Sequence, residues 1–130
     1  MPCMIMCFLK EDKRTDVIEE WYGAQTKAVQ GVFISRLRVM SQASQTDWNI
    51  KHVKPLKSFK GLLEIRFKAD NVQRRILSTH RPNSAFTMLY PATEKNDRFV
   101  PPDAPNQAKQ RKLIVESDST RERPHPFKLG

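Results

Sequence analysis

Apolar and polar positions divide the 130-residue chain into stretches of two kinds. Apolar residues at every second position mark an extended strand with one face turned inward, and recurrence at three and four marks a helix. Met4 to Leu9 is short and apolar and predicts a first strand. Asp16-Val-Ile-Glu19 has the form of a capping box, with Asp16 as N-cap and Glu19 reaching back to it. Val17, Trp21 and Ala24 follow at helical spacing, so a first helix ends near Gly23 to Gln25. Thr26 caps a second helix over Lys27 to about Ser41, with Val29, Val32, Phe33, Leu37 and Met40 on its apolar face. Gly31 weakens that helix by roughly 1 kcal/mol relative to Ala and reads as a point of close packing on the first helix. The pair forms an αα-hairpin.

Strands follow. Ile50 to Leu56 reads as a short or terminal strand, because Pro55 cannot donate to a ladder. Leu62 to Lys68 is the clearest strand. Ala69-Asp-Asn71 is a tight turn, and Val72 to Ser78 returns. Thr79 to Ser84 reads as a loop and Ala85 to Tyr90 as a strand ended by Pro91. After the charged, proline-bearing stretch Glu94 to Pro102, Asp103 caps a third helix over Ala104 to Val115, with Pro105 in its first turn. The order β-α-α-β-β-β-β-α predicts a small α/β (α+β) fold. Its sheet is antiparallel-rich, with the helical hairpin on one face and a C-terminal helix. Residues 1–115 form a single domain. Residues 116–130 are charged and poor in apolar residues, which predicts a flexible C-terminal tail.

Charge sharpens this picture. The net charge is +9, and Lys51 to Arg75 alone holds eight basic residues against Glu64 and Asp70. A polyanionic partner is the expectation. No apolar run approaches the ~20 residues needed to span a bilayer, so no membrane partner is expected. The apolar start lacks a basic region and a cleavage site. Cys3 and Cys7 share a strand face but lie too far apart for an easy bridge. With two cysteines and three histidines a zinc site is not indicated, and a reducing, cytoplasmic location is the simplest reading. No cofactor is implied.

Strand alternation narrows the basic stretch to Lys54, Lys57, Arg66 and Arg75, which converge on one sheet face if their strands are neighbours. Fixed cations of this kind stabilise the charge that develops on phosphoryl oxygens when an RNA 2′-hydroxyl attacks its own phosphate. A guanidinium suits this task because it can bind two oxygens at once. Charge alone leaves an ordinary solvated strand face as the leading alternative. Glu64 shares the face of Arg66, two positions on, and reads as its orienting ion-pair partner. His52, His80 and His125 are too scattered to form an acid–base pair. Phe67, offset by one from Arg66, belongs to the core, as does Trp21. Tyr90 is the better candidate for stacking a base.

The run Val53-Lys-Pro-Leu-Lys57, then Gly61-Leu-Leu-Glu-Ile-Arg-Phe67, then Val72-Gln-Arg-Arg75, resembles the RelE/ParE superfamily, and within it the phage-derived HigB-like branch. Ala92-Thr-Glu-Lys95 resembles the last strand of that branch, and the similarity covers roughly residues 4 to 115. The resemblance implies a RelE-like fold and the toxin of a type II toxin–antitoxin system: a metal-independent endoribonuclease that enters the ribosomal A site, cuts mRNA there and is neutralised by a helix-turn-helix antitoxin. Lys54, Lys57, Arg66, Arg75 and Lys95 match the catalytic positions, with Lys51, Lys60, Arg74 and Tyr90 as RNA-binding residues beside them. Arg74 stands where an aromatic residue often precedes the arginine. A degenerate RNA- or protein-binding module and a gyrase-targeting toxin are the alternatives within the same resemblance.

Overall fold

The computed structural model describes residues 3–48 and 52–130, so the expectations for Lys51 and for Ile50 at a strand start fall outside it. Among the described residues the fold is mixed α+β. Its seven strands are β1 (Met4–Phe8), β2 (Val53–Pro55), β3 (Leu63–Ala69), β4 (Val72–Arg81), β5 (Ala85–Lys95), β6 (Arg98–Val100) and β7 (Glu122–Pro124). The helices are α1 (Val17–Gly23), α2 (Lys27–Ser41) and α3 (Ala104–Ser117). All strands belong to one sheet in the order β2-β3-β4-β5-β1-β7, with β6 also on β5. Every pairing is antiparallel except β1 with β5, which is parallel.

Three hairpins are set by turn chemistry. Asp70-Asn71, Asn83-Ser84 and Asn96-Asp97 each supply two successive residues with positive φ, between 50° and 62°. Paired left-handed residues match the twist of the flanking strands, and Asn and Asp tolerate that region best. The second turn sits later than the sequence implies, so the stretch Thr79 to Arg81 is strand rather than loop.

Pro91 does not end β5, contrary to expectation. One edge of β5 pairs with β4 along its length. The other pairs with β1 over Ala85–Met88 and with β6 over Thr93–Lys95. Pro91 falls in the gap between these two partners, where a missing N–H breaks no bond on that edge.

Alternation separates the two faces. Ile65, Phe67 and Ile76 point toward α1 and α2, where Val29, Phe33, Leu37 and Met40 are buried. Phe33 is the hub, with ring centroids 5.1 Å from Trp21 and 6.2 Å from Phe67. Leu77 and Tyr90 point the other way, under α3, which buries Ala104, Ala108 and Val115. β4 is therefore buried on both faces from Arg75 to Thr79. α3 covers one end of this second face and leaves the other end open.

Asp16 caps α1, accepting from the Ile18 and Glu19 N–H groups at 2.9 Å. Glu19 turns away from the cap and pairs with Arg123 at 3.2 Å, while Arg123 Nε donates to Asp16 at 2.9 Å. The segment expected as a flexible tail is folded. β7 pairs with β1, and Phe127 packs edge-on against Phe33 at 5.3 Å. Arg38 Nε donates to the Leu129 carbonyl. The strongest tie is Glu122. Arg81 Nε and Nη2 reach its carboxylate at 2.8 to 3.1 Å, Thr87 donates its hydroxyl to it, and Arg81 Nη2 also donates to the Val115 carbonyl at 3.0 Å. Low apolar content misled because these polar groups supply the docking.

Two stability outcomes follow from this packing. Glu122→Ala strands a nearly buried Arg81 guanidinium and is expected to cost about 3–5 kcal/mol in urea unfolding. Gly31 is exposed and a Cβ built there meets nothing within 4 Å, so it serves no close approach to α1. Gly31→Ala is expected to raise stability by about 1 kcal/mol in the same measurement.

Candidate functional site

The open end of the α3-side face is where strand register gathers charge. Lys54 on β2 lies opposite Glu64 on β3, and Arg66 on β3 lies opposite Arg75 on β4. Two arginines directly across an antiparallel pair repel each other. Glu64, two positions before Arg66 and thus on the same face, offsets that repulsion. Its Oε1 lies 3.4 Å from Arg66 Nε and 3.9 Å from Arg75 Nε. Glu94 on β5 accepts from Arg75 Nη2 at 2.7 Å. Arg75 Nη1 donates to the Arg74 carbonyl at 2.9 Å and reaches Gln73 at 3.5 Å. Arg75 is only 3% exposed. The cluster thus balances Lys54, Arg66 and Arg75 against two carboxylates, and is far less basic than the raw sequence implies.

Two clefts flank these ion pairs. One, of about 370 Å³, is lined by Lys54, Lys57, Phe59, Glu64, Glu94 and Phe99 among others. The second, of about 290 Å³, is lined by Arg36, His52, Arg66, Lys68, Gln73 and Arg75 together with Phe67. Lys54, Arg66 and Arg75 therefore share one sheet face around Glu64, whereas Lys57 lies past the end of β2 and lines the first cleft with Lys54 but not the one that holds the two arginines.

Other candidates do not join them. Lys95 follows Glu94 on β5, so alternation turns it to the opposite sheet face, and it is exposed beside the β5–β6 turn. Arg74 likewise faces the helical hairpin, where its Nη1 donates to Gln25 at 3.3 Å. Lys60 is exposed in the turn before β3 and lines neither cleft. Tyr90 lies mid-strand rather than at a strand end, and the Arg111 guanidinium covers its ring at 4.8 Å. His80 packs against Phe86 and His125 against Phe127. Among the described residues, no three His, Cys, Asp or Glu side chains meet to hold a metal ion. No helix among them is long and apolar enough to cross a membrane.

Three site residues escaped the sequence reading. Phe99 reaches the first cleft from β6, an element the proline-rich stretch concealed. Glu94 opens that same charged, proline-bearing stretch, and nothing local marks it as the partner of Arg75. Arg36 comes from α2, and its signal was visible: it sits three positions after Phe33 and four before Met40, a charge on the flank of an apolar stripe.

A further groove of about 420 Å³ lies between β1 and α3. There Arg111 and Arg121 each lie over the Phe8 ring, at 5.1 and 5.2 Å, and donate to the Leu89 and Leu9 carbonyls. These contacts join α3 and the C-terminal segment to the sheet.

No protein-family model, curated protein or solved structure matches the chain. The likeness to RelE/ParE toxins therefore rests on the order and spacing of its own residues.

Burial raises the Glu64 pKa above the ordinary carboxylate value, against the opposing pull of Arg75 and Arg66. A carboxyl whose folded-state pKa is raised costs stability while ionised, and that cost disappears as pH falls through the raised pKa. Protonation also removes one of the two negative charges of the cluster. Resistance to urea is expected to gain a contribution as pH is lowered from 7 toward the raised Glu64 pKa, and Glu64→Gln should lose that part of the pH dependence, measured by unfolding across a pH series at constant ionic strength.

Proposed function

We propose that the chain is a ribosome-dependent mRNA endoribonuclease, the toxin of a type II toxin–antitoxin system, acting in the cytoplasm and held in check by a helix-turn-helix antitoxin. The observation that carries this reading is the convergence of Lys54, Arg66 and Arg75 around Glu64 on the part of the sheet that α3 leaves open. The motif order described above supports it independently.

In the reaction, the 2′-hydroxyl gives its proton to a solvent water and its oxygen bonds to the adjacent phosphorus. The bond to the 5′-oxygen breaks, and that oxygen takes up a proton. The products are a 2′,3′-cyclic phosphate and a 5′-hydroxyl end. Arg66 and Arg75 stabilise charge on the non-bridging oxygens, and the Glu64 and Glu94 carboxylates fix the guanidiniums in place. Lys54 and Lys57 line the cleft beside them, where an ammonium can protonate the leaving oxygen. Phe59 and Phe99 in the same cleft offer faces for stacking a base. Lys95 has no part in this chemistry because it faces the other side of the sheet.

One observation favours a second reading, a non-catalytic RNA- or protein-binding module. Arg75 is almost fully buried and already engaged by two carboxylates, so it presents little surface to a phosphate.

Mapping of mRNA ends after brief induction separates the two. The nuclease reading expects growth arrest and new transcript ends bearing 5′-hydroxyls. Arg75→Ala and Lys54→Ala should each lower the cleavage rate, Arg75→Ala by roughly 10²–10³-fold, as for loss of one preorganised donor to an oxyanion. Intact transcripts during arrest would defeat this reading, and DNA breaks in their place would select a gyrase target.

A further inference from the structure

Arg66 and Arg75, which act in the chemistry above, form one side of the second cleft, and its other cations, Arg36 and Lys68, have no role in that chemistry. Its described lining carries four cationic side chains, Arg36, Arg66, Lys68 and Arg75, and no carboxylate. Arg36 arrives from α2, whereas Arg66 and Lys68 stand on one face of β3 and Arg75 on β4, so three separate elements bring charge to one small space. The Nε atoms of Arg36, Arg66 and Arg75 are buried and make no hydrogen bond. Glu64 approaches the last two only as an ion pair from the other cleft. Arg36 has no ion-pair partner among the described residues, and burial lowers its pKa with nothing to offset the desolvation. A buried donor on a charged group without an acceptor is costly. The group that removes the cost is a compact anion with several acceptor oxygens.

We propose that this cleft is a phosphate subsite. It holds a phosphodiester of bound single-stranded RNA next to the one presented to the Lys54–Lys57 cleft, with Arg36 and Lys68 as its binding residues. Glu64 lines the first cleft and its ion-pair partners Arg66 and Arg75 line the second, so a strand crossing from one to the other places successive phosphates on either side of these pairs. This rests on the RNA reading given above, and it adds that recognition extends beyond the reacting phosphate to a neighbour gripped by the helical hairpin.

The test uses the full chain and two probes. Inorganic phosphate is titrated into ¹⁵N-labelled protein at constant ionic strength, following the arginine Nε–H resonances. The Arg36 resonance should shift saturably, and Arg36→Gln should abolish that response. A single-stranded RNA hexamer is then followed by fluorescence anisotropy across a salt series. Arg36→Gln should weaken binding about tenfold. Arg36→Gln and Lys68→Gln should each make the slope of log affinity against log salt shallower by about 0.7. Lys68 is exposed, so its variant keeps the fold. An Arg36 resonance that ignores phosphate, or unchanged RNA affinity and salt slope in both variants, would overturn the subsite. Those results together with normal mRNA cleavage would leave the nuclease reading standing. A phosphate response and the RNA effects with intact transcripts in the cell would leave the subsite standing and remove the nuclease.

Discussion

The site depends on keeping one guanidinium charged while nearly excluding it from water. Arg75 lies in a central strand, opposite a second arginine and flanked by the Leu77 side of the core. Alone, it would either distort the strand or leave the sheet. Glu64 and Glu94, one on each neighbouring strand, make the position tenable. The same carboxylates remove most of the positive field that the raw sequence promised. What remains is a fixed, polarised array rather than a basic surface. Such an array is preorganised: its charges are held in place by one another before any anion arrives.

That array exists only because the second face of the sheet is unequally covered. Helix α3 lies over β4 and β5, and Arg111 anchors it to the Leu89 carbonyl of β5. Past its footprint the face is open, and the charged side chains occupy that opening. The C-terminal segment closes the other end. It adds β7 to β1, buries Glu122 against Arg81 and sends Phe127 into the aromatic cluster around Phe33. Fold and site are thus linked through β4 and β5. One end of β4 carries Arg75 to the open face, and the other carries Arg81 to the docked terminus.

Arg36 extends the role of the helical hairpin. α2 covers the core with one stripe, and the flank of that stripe delivers a charged side chain to the cleft beside Arg66 and Arg75. A helix that packs on one face can therefore reach chemistry at the margin of the other. Arg74 shows the converse. One residue from Arg75, it faces the hairpin and bonds Gln25, because successive residues in a strand cannot share a face.

Local signals settled much of this. Asp16 and Thr26 as caps, the Val29–Phe33–Leu37–Met40 stripe, the Asp70-Asn71 turn and the alternation of β3 are each decided within a few residues, by hydrogen-bonding and steric rules that need no distant partner. Those same rules placed Lys54, Glu64, Arg66 and Arg75 on one face and Phe67 on the other. The sequence could not show which edge of β5 Pro91 would occupy, that Glu122 would find Arg81, or that Glu94 and Arg36 would join the cluster. Those outcomes depend on pairings between residues 19 to more than 40 positions apart, which no local periodicity encodes. Burial was also beyond it: whether a cation on a strand meets water or a carboxylate is fixed by which strands lie alongside. Tertiary packing therefore turned a basic stretch into an ordered cluster in which two carboxylates hold a nearly buried Arg75 beside a more exposed Arg66.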